Sequence, residues 1–221
     1  MLQPSTLTFL KNLKKNNSRD WFEKHRGNFE AAKEDFTELV GHLIKGFGKK
    51  DKDIASQEAK DCVFRIYRDV RFSKNKTPYK SHLSASLDRD GKKSIFGGYY
   101  FHCEPGGKSF IGSGVWMREA DAVKKLRQEI DYNHEEFLRI IKNKKFVAAF
   151  GELEREDALS REPKGYEKDN PVIEYLRLKS WVVTAPISDA ELTEKGLEKK
   201  IIALFELSMP LVKFLNRALE G

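Results

Sequence analysis

Between Phe64 and His82 the chain reads Phe-Arg-Ile-Tyr-Arg-Asp-Val-Arg-Phe-Ser-Lys-Asn-Lys-Thr-Pro-Tyr-Lys-Ser-His. Six full cations, Arg65, Arg68, Arg71, Lys74, Lys76 and Lys80, stand there against one acid, Asp69. A guanidinium presents five donors in a planar fork that suits a carboxylate or a phosphate two bonds at a time. The run from Ser73 to Lys80 adds hydroxyl and ammonium groups. Such a set makes an electropositive cradle for a small anionic ligand bearing phosphate or carboxylate. Arg65, Arg68, Arg71, Lys76, Tyr79 and Lys80 are the residues expected to hold it. His82, His102 and Asp69 are the acid/base candidates if chemistry follows binding. The loop is no Walker motif, because no glycine run exposes backbone amides.

The spacing also poses a difficulty. On a regular strand, Phe64, Ile66, Arg68, Val70 and Phe72 share one face, and Arg65, Tyr67, Asp69 and Arg71 the other. Three arginines three residues apart cannot all point one way, so their convergence needs a bulge, a bend or a loop near Asp69. Arg68 on an otherwise apolar face also needs a partner. A structural reading stands beside the functional one: the cations pair with helix acids such as Glu23, Glu30 or Glu34 and tie helix to sheet. Two further readings are a scaffold whose basic patch meets an acidic partner, and nonspecific nucleic-acid binding. Nucleic acid is not expected as the partner. There is one basic patch, and Phe64, Tyr67, Phe72 and Tyr79 read as packing rather than as base-stacking platforms.

Other chemistry is sparse. Tyr100, His102 and Glu104 alternate along one strand face, so His102 and Glu104 form an acid/base pair or two metal ligands. Two ligands are not a site, and a third would have to come from His82 or Asp69 on a neighbouring strand. No metal and no cofactor is therefore expected. Cys62 and Cys103 lack Cys-x-x-Cys spacing and read as buried small side chains. Gly112 and Gly114 alternate along another strand and leave a bare groove where a backbone or a ligand can approach.

The elements that must position these residues follow from periodicity. Ser5–Lys15 reads as a helix, and Ser18 caps a longer one carrying a stripe from Trp21 to Phe47 at spacings of three and four. The Lys49–Asp53 run reads as a solvated loop. The period then falls to two over Cys62–Phe72, His82–Leu87, Ser94–Glu104 and Lys108–Met117, with turns at Gly91 and at Pro105-Gly106-Gly107. Helical spacing returns around Ala122–Ile130 and after Asn133, which pairs with Glu136 as a cap. Gly151–Asn170 reads as a surface loop and Leu176–Ile187 holds another strand. Ser188 and Glu191 form a capping box, and a C-terminal helix runs to Leu219 with a kink at Pro210. The expectation is α+β: a single domain over residues 1–221, with an antiparallel sheet of about four to five strands flanked by long N-terminal and C-terminal helices.

Composition agrees. The 221 residues hold 41 Lys+Arg against 34 Asp+Glu, a formal charge of +7, too modest at this length to signal a polyanion partner. Aromatic residues make up 11%, which argues against a disordered chain. No apolar run nears the ~20 residues that span a bilayer, and the start of the chain lacks the layout of a secretory signal. Two cysteines make no disulfide framework. A cytoplasmic protein without membrane contact is expected; its oligomeric state is not readable.

Four segments carry a resemblance: Phe9–Phe22 (FLKNLKKNNSRDWF), Phe64–Lys80 (FRIYRDVRFSKNKTPYK), Gly98–Met117 (GYYFHCEPGGKSFIGSGVWM) and Gly165–Val183 (GYEKDNPVIEYLRLKSWVV). They resemble a widespread bacterial family of conserved hypothetical proteins, a domain of unknown function with fungal members. The resemblance covers nearly the whole chain and implies an α+β domain. It implies no established activity, substrate or cofactor. The chain departs from the pattern twice: Asn170 stands where a histidine is expected before Pro171, and Arg118 where a proline is expected.

Overall fold

The structure, a computed structural model, describes residues 1–116 and 119–220. Met117, the expected strand end, and Arg118 lie outside the described residues. α1 (Pro4–Lys15) begins on Pro4, whose fixed φ suits a first helical position, and buries Leu7, Phe9, Leu10 and Leu13. The Ser18 hydroxyl accepts from the Trp21 amide and caps α2 (Arg19–Lys24). The stripe from Trp21 to Phe47 is not one helix. It breaks at His25 and resumes as α3 (Arg26–Phe47). His25 causes the break: its ring nitrogen lies 2.8 Å from the Trp21 carbonyl and its ring stacks on Trp21 at 4.0 Å. That carbonyl is thereby shared with a side chain, and the turn tightens. The Lys49–Asp53 run is also less solvated than expected. Asp51 is buried and its carboxylate accepts from the Asp53 amide, because Ile54 behind it enters the core.

The expected strand over Cys62–Phe72 does not form. α4 (Ala59–Cys62) occupies its start, and only two isolated antiparallel bridges follow, Val63 with Ala85 and Tyr67 with Tyr79. A regular strand there would drive Arg68 into an apolar face without a partner. Instead the segment folds onto itself. The Arg68 amide donates to the Pro78 carbonyl at 2.9 Å, and the Lys80 amide to the Ile66 carbonyl at 2.8 Å.

The four strands of the described sheet are β1 (Leu83–Asp88), β2 (Gly98–Cys103), β3 (Ser109–Val115) and β4 (Trp181–Ile187), antiparallel in the order β1-β2-β3-β4. Asp90 and Gly91, both at positive φ (63° and 84°), make the expected turn between the first two strands. The Gly106 and Gly107 amides of the next turn donate to the Asp189 carboxylate. The remaining helices are α5 (Ala120–Tyr132), α6 (His134–Ile141), α7 (Lys144–Phe150), α8 (Ile173–Leu176), α9 (Asp189–Leu192) and α10 (Leu197–Leu219). The Ser188–Glu191 capping box is formed. The Asn133 cap is not, since its amide donates instead to the Glu129 carboxylate at 3.0 Å. Among the described residues no helix is long and apolar enough to cross a membrane.

The chain divides into two compact units. The first comprises Met1–Leu87, Tyr100–Ile111 and Pro186–Ile202. In it Phe36 of α3 stacks on Phe101 of β2 at 5.4 Å, so the helices cover the face that bears Phe101 and Cys103. By alternation Tyr100 and His102 point to the other face. Cys62 and Cys103 are both buried and not joined in a disulfide, and burial pushes Cys103 up to about 12. The second unit comprises Asp88–Tyr99, Gly112–Ala185 and Ala203–Gly221. There Phe205 of α10 packs on Tyr99 at 5.1 Å, and the buried Asn216 amide clasps the Gly97 peptide, accepting its N–H at 2.7 Å and donating to its carbonyl at 3.1 Å. Gly114 of β3 sits at φ +129°, where the backbone of Trp181 approaches so closely that a Cβ would lie 2.0 Å from its carbonyl oxygen.

Candidate functional site

The basic segment is seated on the N-terminal helices of the first unit by two devices. Asn17, in the turn between α1 and α2, clasps the Tyr79 peptide: it accepts from the amide at 3.1 Å and donates to the carbonyl at 2.9 Å. A peptide paired this way behaves as if it had a neighbouring strand. The Tyr79 ring then stacks on Phe22 at 4.0 Å with the planes 12° apart, and Tyr67 leans on both rings. Tyr79 is 3% exposed, so its part is to anchor the segment.

Above this seat lies a cleft of about 570 Å³. Its walls include Lys14, Asn17, Arg68, Thr77, Lys80 and His82, with Asp69 and Asn75 at the same opening. The Arg68 guanidinium donates to the Thr77 hydroxyl at 2.6 Å and to the Ser73 hydroxyl at 3.4 Å. Among the described residues no carboxylate pairs with it. The Asn75 side chain orders the loop by accepting from both the Thr77 amide and the Thr77 hydroxyl. The Lys80 ammonium lies 5.5 Å over the Phe64 ring, a cation–π arrangement that fixes its stem along the segment.

Beside the cleft stand two imidazoles and a carboxylate. Glu104 follows β2, and its Oε2 is 3.3 Å from His102 Nε2 and 4.0 Å from His82 Nδ1. Its other oxygen, Oε1, accepts from Lys14 at 2.9 Å and from the Ser81 hydroxyl at 3.5 Å. His102 Nδ1 faces the Tyr100 hydroxyl at 3.3 Å, and Phe110 stacks on the His102 ring at 4.8 Å. The two imidazole rings are 4.2 Å apart. Burial, then the neighbouring His102 and Lys80, pushes His82 down to about 4. Burial lowers His102 as well, against the pull of Glu104. Burial alone would raise Glu104, but the bonds from Lys14 and His102 outweigh it and hold the carboxyl below the usual range. Near neutral pH the cluster is thus two neutral imidazoles and one carboxylate.

One donor atom from each of His82, His102 and Glu104 lies within 4.8 Å of the others, a spacing from which a metal ion can be held. The third donor sought for the His102–Glu104 pair is His82, and not Asp69.

The chain matches the model of one family over residues 5–214, described as a conserved hypothetical protein (DUF2461). The chain belongs to the DUF2461 family. No curated protein and no solved structure matches the chain. The family description carries no activity, so the reading of this DUF2461 member rests on its geometry.

Of the residues expected to hold an anion, Arg68, Tyr79 and Lys80 line the cleft of this DUF2461 chain, while Arg65, Arg71 and Lys76 do not. Arg65 is exposed. Arg71 is bound to Asp69, Nε to Oδ1 at 3.0 Å and Nη2 to Oδ2 at 2.6 Å. That bond holds Asp69 below the usual carboxylate range and occupies the acid/base candidate. Lys76 donates to the Val70 carbonyl at 2.9 Å and closes its own loop. The three arginines therefore do not converge, because the segment is a self-bridged loop and alternate residues leave it in different directions. Nor is Glu23 a partner of the motif, since it pairs with Arg26. Lys14 and Asn17 belong to the site but are not among the residues expected there, whereas Glu104 stands beside His102 as the strand pattern expects. Lys14 and Asn17 lie far before the motif, in and just after α1, and nothing local marks them. Asn170, the departure from the expected histidine, bridges Asp131 at 2.5 Å and the Val172 amide at 2.9 Å.

Proposed function

We propose that this protein binds a small anion bearing phosphate or carboxylate groups in the cleft beside Arg68. The observation that carries this reading is the guanidinium itself. It is half-buried, held in place by two neutral hydroxyls, and met by no carboxylate among the described residues. A fixed, uncompensated guanidinium in a cleft is preorganised for a bidentate anion, since its ordering cost is met before the guest arrives. Lys14 and Lys80 add positive charge to the same walls. The Thr77 hydroxyl and the His82 ring supply further polar contacts.

Pyrophosphate and citrate are suitable probes, one for each anion chemistry. Either is expected to raise the melting temperature of the full chain. Arg68→Met should weaken the effect by about 10–100-fold in concentration, the scale of a charge-assisted bond of ~1.5–3 kcal/mol. Arg71→Ala should leave it unchanged, because that guanidinium is committed to Asp69. If neither probe shifts the melt at millimolar concentration, or if Arg68→Met responds as the unaltered chain does, the reading fails. Loss of stability in Arg68→Met with the shift retained would assign the residue a structural role instead.

A further inference from the structure

We propose that His82, His102 and Glu104 form a binding site for a divalent transition metal of the zinc class, set in the wall of the cleft. The inference goes beyond anion binding and needs only these three side chains. Two imidazoles with one carboxylate form a donor set of borderline softness, suited to zinc and unlike the all-oxygen sets that suit magnesium or calcium. Three protein ligands also leave a fourth position open, the mark of a metal that handles a ligand rather than one that only staples a fold.

The geometry is close to that requirement. Zinc bonds of about 2.0–2.1 Å in a tetrahedron place their donor atoms roughly 3.4 Å apart. His102 Nε2 and Glu104 Oε2 already stand at 3.3 Å. His82 Nδ1 is 4.0 Å from the same oxygen. All three donor atoms lie within 4.8 Å of one another, and bringing His82 into place takes a movement on the order of an ångström by a side chain in the bend before β1, where no strand ladder holds it. All three ligand residues are half-buried, so the site is shielded yet reachable.

The surroundings match what orients ligands in metal sites. Lys14 and Ser81 occupy Oε1 of Glu104 and leave Oε2 for the metal. The Tyr100 hydroxyl faces His102 Nδ1, so that nitrogen can carry the ring proton and leave the Nε2 lone pair for the ion. As the ring binds, the proton on Nε2 gives way to one on Nδ1. The hydroxyl then accepts where it had donated, and the imidazole remains neutral throughout. Phe110 stacked on the ring limits its rotation. His82 and Lys14 line the cleft as well, so the ion borders the space next to Arg68. An oxygen of an anionic guest can occupy the fourth position there.

The test uses the full chain, stripped of metal with a chelator and titrated with Zn²⁺ against a chromogenic chelator. One equivalent is expected to bind, and Co²⁺ in its place should give the intense visible bands of a four-coordinate nitrogen–oxygen site. His82→Ala and Glu104→Gln should each weaken Zn²⁺ by about 100-fold or more, since loss of a ligand costs at least as much as loss of an outer-shell partner. His134→Ala should bind as the unaltered chain does, because that imidazole bonds to the Asp131 carbonyl and is no part of the cluster. Should Glu104→Gln fail to fold, the Co²⁺ spectrum and His82→Ala decide the matter. Zn²⁺ that does not bind stoichiometrically, or binds equally to His82→Ala, overturns the site. Arg68→Met separates the two readings: it should keep Zn²⁺ and lose the pyrophosphate effect. Zn²⁺ binding in a chain that ignores pyrophosphate would leave the metal site standing and the anion reading refuted.

Discussion

Gly114→Ala is expected to cost ~3–5 kcal/mol and to leave the protein largely insoluble, which is much of the 5–15 kcal/mol that holds a domain folded. Two effects add at this position. The φ of +129° lies where an L side chain is strained, at ~1–3 kcal/mol. A Cβ would also stand 2.0 Å from the Trp181 carbonyl oxygen and 3.0 Å from Val182 Cα. Those neighbours are backbone of β4 and cannot swing aside as a flexible side chain would, so the strand pairing itself must open. Gly107→Ala is the control: its φ of +71° is also positive, but nothing lies within 4 Å of the new methyl. It should lose only the ~1–2 kcal/mol of left-handed backbone strain. Urea midpoints of the two variants, or soluble yield where the first does not refold, measure the difference. Equal losses would show that the conformation alone matters and that the close approach to β4 does not.

Phe22→Ala is expected to cost ~3–5 kcal/mol and to abolish the pyrophosphate effect as well. Phe22 is fully buried. Its ring stacks on Tyr79 at 4.0 Å and touches Phe29 at 5.0 Å, so its loss leaves a cavity under the basic segment. Tyr79 lies two residues from Thr77, which holds the Arg68 guanidinium. A Tyr79 ring without its stacking partner can rotate into the void, and the loop above it then loses the geometry that fixes Arg68. Phe72→Ala provides the contrast. Phe72 is 96% exposed, although its sequence neighbourhood is the same motif. Its truncation should move neither the urea midpoint nor the pyrophosphate response. If Phe22→Ala, tested below its lower melting temperature, still responds to pyrophosphate at the original concentration, the stack does not position the site.

Much of the frame was legible from local pattern. The Ser18 cap, the Asp90-Gly91 turn and the Ser188–Glu191 capping box each depend on residues within a few positions of one another, and each is formed. The sheet was legible because its strands alternate. The stripe from Trp21 to Phe47 was legible as an apolar face but not as two helices, since its period is unchanged across a break made by one His25 side chain. The strand expected at Cys62–Phe72 is absent for a related reason. Its residues have strand propensity, yet the cost of burying Arg68 overrides propensity and leaves two isolated bridges. The bare position at Gly114 leaves room for a backbone or a ligand, and backbone fills it.

Fold class and the segment where positive charge gathers follow from composition, period and local turn chemistry, and the family follows from four ordered segments spread along the chain. Which cations face a common space is set by the tertiary packing. Arg68 and Lys80 do, joined by Lys14 from a helix more than fifty residues away, while Arg71 turns to Asp69. The same packing brings His82 to the His102–Glu104 pair. Such meetings are set by which backbone groups pair and which rings stack across long stretches of chain, and no spacing within one segment encodes them.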